Sequence, residues 1–280
     1  MNMLEVDRLR VWDAKSGHVI VHDSSFRLAA GECLAIVGES GSGKSMTCRS
    51  ILRLHDPSIR QSGEIRFQGE GLSDLPERDM RERRGKRISL VMQNGMNAFD
   101  PSCKVRVHFR ETLGRHMGWT RRQVDERAEI ALAQVQLRPA KDVLNKYPHE
   151  LSGGMLQRLM IGLSLLLEPE LIIADEPTTA LDALSQYEVL VQLRQLKARI
   201  GCAMLLISHD LGVVRTMADR ILVMRQGRIV EEGDAGNVLS HPRHPYTQHL
   251  IHTRRQLTEP FKAMLEEGGY AEHERRRKVL

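Results

Sequence analysis

The sequence predicts an α/β fold. Its core is a mostly parallel sheet, with an antiparallel β subdomain near the N-terminus and a helical subdomain at about 94–166. Three observations predict it. A glycine-rich loop, Gly38–Ser45, stands between an apolar run of strand length and a segment that opens a helix. A second apolar run, Leu171–Ala174, ends in the acids Asp175 and Glu176. From Asn94 to about Leu166 the short alternating runs give way to helical stretches.

The elements follow in order. Leu4–Trp12 alternates as a strand, and Val19–Val21 and Ser25–Leu28 read as two further short strands. Cys33–Val37 is the strand before the glycine loop, and Met46–Leu52 the helix after it. Asp56-Pro57 and Ser62-Gly63 mark breaks, and Gly63–Gly69 reads as a strand and turn. Pro76–Arg87 is a charged surface helix, and Ile88–Met92 a buried strand ending at Gln93. Within the helical stretch, Thr120 and Gln123 have the spacing of a capping box. A helix at Met155–Leu167 and another at Ala183–Arg199 alternate with strands at Leu171–Ala174 and Ala203–Ile207. Ile221–Met224 and Arg228–Glu231 are short strands around Gln226-Gly227, and the tail after His241 looks helical and polar.

Composition bounds the function. The 280 residues are 41% hydrophobic and 28% charged, which is globular and sufficient for a sizeable core. No apolar run approaches the ~18 residues of a membrane span. The first residues lack the basic and apolar regions of a signal peptide, so a cytoplasmic chain is expected, and any membrane role needs partner subunits. The net charge of +5 rests on scattered basic residues; the clusters at Arg78–Arg87 and Arg275–Lys278 read as solvated faces, and no nucleic acid is expected. Cys33, Cys48, Cys103 and Cys202 form no C-x-x-C pair and read as reduced, mostly buried thiols.

The chemistry starts at Gly38, Glu39, Ser40, Gly41, Ser42, Gly43, Lys44 and Ser45, which satisfy G-x-x-x-x-G-K-[ST] without departure. Backbone N–H groups of such a loop curl around phosphate oxygens, and the following helix, from Met46 on, adds its positive dipole end. Lys44 is placed to bridge the β- and γ-phosphates, and Ser45 Oγ to ligate Mg²⁺. Asp175 is expected to hold the same ion, and Glu176, one residue on, to polarise an attacking water. Ser152, Gly153 and Gly154 open the helix that follows, a second phosphate-binding helix start. One nucleotide does not need both starts from one chain. A head-to-tail dimer, in which this loop caps the partner's γ-phosphate, is the economical account.

These residues resemble the motifs of the ATP-binding-cassette (ABC) transporter ATPases. Gly38–Ser45 is similar to the Walker A loop, Leu151–Met155 to the signature motif, and Leu171–Glu176 to Walker B with its glutamate. Ala180-Leu181-Asp182 resembles the D-loop, Gln93 the Q-loop glutamine and His209 the switch histidine. The match covers roughly residues 4–253, so 1–253 is expected to be the nucleotide-binding domain and 254–280 a polar helical tail. Pro148–Met155 with Gln157-Arg158, His209–Val214 and His244-Pro245-Tyr246-Thr247 look like the dipeptide/oligopeptide/nickel importer branch. Met92-Gln93-Asn94 and Ala98–Pro101 are most similar to its nickel and metallophore importers. Many peptide-importing members carry a cysteine cluster in the tail; here no cysteine follows Cys202.

The resemblance implies ATP and Mg²⁺ as cofactors and Glu176, His209, Gln93 and Lys44 as catalytic residues. Ser45, Gln93 and Asp175 are the implied Mg²⁺ contacts. The implied partners are a second ABC ATPase subunit, identical or paralogous, two membrane permease subunits and an extracytoplasmic substrate-binding protein. The place is the cytoplasmic face of the inner membrane, with the loop Asn94–Pro101 against a membrane subunit. Trp12 is placed either to stack on adenine, as an aromatic near the first strand does in the family, or to pack half-exposed on the core; both stay open. His249 and His252 share a helix face, but an ATPase subunit need not touch the cargo, and metal ligation is the weaker reading. A different class also remains: an accessory cassette of a soluble enzyme complex, such as a carbon–phosphorus lyase-type assembly.

Overall fold

In a computed structural model, the structure describes residues 2–179 and 181–253. Two sheets organise them. The first is antiparallel, in the order β2-β1-β4-β5, from β1 (Asn2–Asp13), β2 (Val19–Ala29), β4 (Ile59–Phe67) and the two-residue β5 (Glu70–Gly71). The second has the order β10-β9-β3-β8-β7-β6. Its members are β3 (Cys33–Val37), β6 (Ile88–Val91), β7 (Leu171–Asp175), β8 (Ala203–Ile207), β9 (Arg220–Arg225) and β10 (Arg228–Asp234). All its pairings are parallel except β9–β10.

The central strands β3, β7 and β8 are buried at every residue. Burial on both faces explains why they read as continuous apolar runs rather than alternating ones. Alternate side chains supply different cores. Leu34, Ile36, Ile173 and Leu205 face the antiparallel sheet, while Ile172, Ala174, Met204 and Leu206 face the helices. Towards β9, Ala35, Val37, Ile221 and Val223 pack on C-terminal residues including Tyr246 and Leu250.

The helical stretch holds α3 (Val105–Met117), α4 (Arg121–Gln134), α5 (Ala140–Asn145) and α6 (Gly153–Leu167). The capping box expected at Thr120 is present, with Thr120 N–H donating to Gln123 Oε1 at 2.9 Å. Around it stand α1 (Lys44–Leu52), α2 (Glu77–Arg83), α7 (Ala183–Ile200), α8 (Leu211–Met217) and α9 (Ala235–Ser240), and residues 245–253 are helical.

Two expectations are corrected. Val19–Val21 and Ser25–Leu28 are one strand, not two. Asp23 takes φ 45° and the β1–β2 register shifts near Leu9, so an irregularity bends the ribbon without ending it. Ser62-Gly63 is no break either, because β4 runs through it. Gly63 has φ 96°, and a Cβ there would stand 2.4 Å from Arg8 O, so the glycine admits a close approach of β1. Helices α8 and α9, of 7 and 6 residues, escaped the sequence reading. Ala180 of the D-loop-like stretch and the expected tail at 254–280 lie outside the described residues.

Candidate active site

The glycine loop leaves the C-terminal end of β3 and enters α1, as expected. Its first glycine is required by a neighbour: a Cβ on Gly38 would stand 2.2 Å from Met224 O at the end of β9. Gly43 caps α1 with φ 101°, a conformation that side chains resist. Lys44 is 5% exposed, and its ammonium curls back to donate to Gly38 O at 2.9 Å and Glu39 O at 2.8 Å. Ser42 Oγ is buried in the loop, with no hydrogen-bond partner among the described residues. An orphaned hydroxyl in a loop that leads into a helix N-terminus suits an anionic ligand.

Ser45 opens α1 and donates its hydroxyl to Asp175 Oδ1 at 2.9 Å, across from the end of β7. Burial pushes the Asp175 carboxyl above the ordinary range, against the opposing effect of the Ser45 hydrogen bond. A hydroxyl and a carboxylate, both hard oxygen donors, suit Mg²⁺. No group of three or more His, Cys, Asp or Glu fit to hold a metal occurs among the described residues.

Glu176 turns out of the sheet at φ 48° while its N–H donates to Ile207 O at 3.0 Å. Three groups converge on its Oε2. Gln93 Nε2 donates at 3.2 Å, from just beyond β6. Thr179 Oγ1 donates at 2.9 Å, and His209 Nδ1 lies 3.3 Å away, just beyond β8. The parallel sheet does this work: β6, β7 and β8 are adjacent, and all three end on the same edge. Thr179 was missed in the sequence. Its position, three residues after Glu176, was the only available signal.

Ser152 Oγ accepts from Met155 N–H at 3.3 Å and caps α6. The nearest atoms that a Cβ on Gly153 and on Gly154 would meet belong to Leu181 and Ser185. This helix start therefore abuts the head of α7, and Ser152 and Gly153 are exposed. Within α6, Gln157 is 1% exposed and donates through Nε2 to Met92 O at 2.8 Å and Gln93 O at 3.0 Å. It ties the signature-like helix to the backbone that carries Gln93, another contact that spacing alone does not reveal.

Trp12 is partly buried, opposite Val19 of β2 and Arg60 of β4. One residue beyond Val19, Ile20 O lies 3.1 Å from the Cβ position of Gly43, so the strand pair borders the loop. Met46 is partly buried against the β1–β4 core. Phe99 is 6% exposed and meets His108 edge-on, so within Asn94–Pro101 the outward residues include Met96, Asn97 and Ala98 rather than Phe99.

The model of a family described as "ABC transporter" matches residues 21–179. The chain is 43% identical over 265 residues to the metal-staphylopine import system ATP-binding protein CntD of Staphylococcus aureus, covering 95% of this chain and 98% of that one. To the oligopeptide transport ATP-binding protein OppD of Salmonella typhimurium it is 41% identical over 265 residues, covering 94% and 79%. Its fold is similar to that of the dimeric, post-hydrolysis ATP-binding cassette MJ0796 bound to ADP and Pi. The TM-score is 0.74 at 24% identity, covering 83% of this chain and 99% of that one.

Proposed function

The chain belongs to the ABC transporter family as an ATP-binding, ATP-hydrolysing subunit, and from that premise we propose that it energises import of a metal chelate or nickel, with peptide as the competing cargo. It works at the cytoplasmic face of the inner membrane, as one of two cassettes beneath two permease subunits fed by an extracytoplasmic binding protein. Among the described residues no helix is long and apolar enough to cross a membrane, so attachment falls to partners. The outward segment Met96–Ala98 is the proposed contact.

The convergence on Glu176 carries the mechanism. Water attacks the γ-phosphorus in line, giving ADP and phosphate. Glu176 polarises that water and receives its proton; Gln93 and Thr179 hold the carboxylate in place. His209, beside the same oxygen, contacts the γ-phosphate. Lys44 exchanges its two loop carbonyls for phosphate oxygens. Ser45 and Asp175 would hold Mg²⁺, which supplies charge neutralisation on the β- and γ-phosphates. Ser152–Gly154, at another helix start where Ser152 and Gly153 are exposed, cap the γ-phosphate bound by the second cassette.

The cargo proposal is supported by the near end-to-end match to the metal-staphylopine relative. The test is uptake by a deletion strain. Lost metal-chelate or nickel uptake with normal oligopeptide uptake is expected, and the reverse pattern would overturn the ranking. For the hydrolytic reading, Lys44→Ala should abolish phosphate release with the fold retained.

A further inference from the structure

The stretch His244-Pro245-Tyr246-Thr247 takes no part in the chemistry above. It nevertheless reaches the glycine loop. After β10 and α9 the chain turns at 241–244, and Glu231 of β10 pins that turn. Its carboxylate accepts the N–H of Arg243 at 2.8 Å and that of His244 at 3.0 Å. Tyr246 N–H donates to His244 Nδ1 at 3.1 Å, opening the last described helix. From there Tyr246, Leu250 and Ile251 enter the core with Val37 at the end of β3 and Ile221 and Val223 of β9.

The Tyr246 ring is 5% exposed, with the Arg225 guanidinium 4.9 Å from its centroid. Its hydroxyl oxygen accepts the Glu39 N–H at 3.0 Å. That N–H belongs to the peptide unit whose carbonyl is Gly38 O, an acceptor of the Lys44 ammonium. One planar peptide is thus held at its two ends, by Tyr246 on one side and Lys44 on the other. When Lys44 moves to phosphate, the Tyr246 bond remains as the hold at the other end.

We infer that Tyr246 is a positioning residue for nucleotide binding, through which the segment after β10 sets the orientation of the Gly38–Glu39 peptide in the glycine loop. A preorganised loop spends less binding free energy on ordering. The effect belongs to affinity, since Tyr246 touches neither the Glu176 cluster nor the Ser45–Asp175 pair. The inference rests on ATP binding at Gly38–Ser45.

Tyr246→Phe in the full chain tests it, because the ring and its contact with Arg225 persist. Binding of a fluorescent ATP analogue, KM and kcat for ATP, and the melting temperature are measured together. The expected result is affinity weakened about 3- to 10-fold, the range of one hydrogen bond, with KM raised in step and kcat at saturation retained. Glu231→Ala, which frees the turn at 241–244 without touching the loop, should shift KM in the same direction. Parental affinity in Tyr246→Phe overturns the inference. So does a fall in kcat and melting temperature with KM unchanged, which marks a packing role only. A parental chain without ATP affinity would overturn the nucleotide reading and this inference with it.

Discussion

Replacing Gln157 by Met separates packing from catalysis. The substitution keeps length and volume and removes the two donations that hold Met92 O and Gln93 O. Both bonds are part-buried, so water reaches the freed carbonyls in part, and each loss costs about 1 kcal/mol. Gln157 Oε1 is itself buried without a hydrogen-bond partner, and deleting it returns about 1 kcal/mol. The net destabilisation is about 1 kcal/mol, or ~2–4 °C in melting temperature. The rate should suffer more. Gln93 reaches Glu176 at 3.2 Å from a backbone that Gln157 holds, and a displacement of about 1 Å costs up to ~10²-fold in catalysis. A kcat reduced at least about tenfold with a nearly parental melting curve is the expected signature, read by phosphate release at saturating Mg·ATP and by calorimetry. A melting temperature lowered by many degrees with kcat intact would refute the reasoning. It would show Gln157 to be a core residue only.

The remaining predictions use other groups. Glu176→Gln keeps the shape and removes the proton acceptor, so hydrolysis should fall by about 10²–10⁴ while ATP and Mg²⁺ hold a closed dimer, followed by light scattering. Asp175 carries a raised carboxyl pKa because of its burial, so its ionised form is disfavoured in the fold. Between the ordinary and the raised value the folded state binds more protons than the unfolded one, and stability from this group falls as pH rises. Asp175→Asn should therefore be stabilising at neutral pH in melting experiments while losing activity, and should flatten the stability–pH slope on the acid side. Of the four thiols, Cys33 is pushed up to about 12 and Cys202 to about 11 by burial, and the fully buried Cys48 well above its ordinary value. A thiol-disulfide reagent at pH 8 should label Cys103 quickly, giving close to one equivalent native and four in guanidinium.

What the sequence disclosed depended on whether a feature was local. Cys33–Val37, Ala203–Ile207 and the Thr120–Gln123 cap were legible because burial pattern and capping chemistry act within a few residues. The loop between β3 and α1 and the acids at the end of β7 were legible because they follow a motif of fixed residue types in a fixed order. The shift of the 62–63 break into β4 was not. It depends on Arg8 O, which approaches Gly63 from another strand. Neither was Thr179, Gln157 or Tyr246 legible as a site residue. Their partners lie 3, 65 and 207 residues away respectively, and only the last two need the tertiary fold to meet. Thr179 was hidden for another reason: a hydroxyl one turn from a glutamate is common, and its meaning appears only once Gln93 and His209 share the same oxygen.

The site's polar groups bond one another in a way that bears on how it works. Lys44 donates to its own loop, Ser45 to Asp175, and Gln93 and Thr179 to Glu176. The buried ones, Lys44 and Asp175, would be costly without partners. A nucleotide must therefore exchange bonds rather than simply add them, and its net affinity is the difference between two nearly matched sets. Small biases on the loop then matter, because they are not small beside that difference. At the Ser152–Gly154 helix start, Ser152 and Gly153 are exposed, and Cβ atoms on Gly153 and Gly154 would meet Leu181 and Ser185 at the head of α7. A single cassette can thus satisfy its own catalytic groups but has no nucleotide of its own to offer that face. On the proposed reading, dimer closure would add bonds that one chain cannot form, and hydrolysis would follow association.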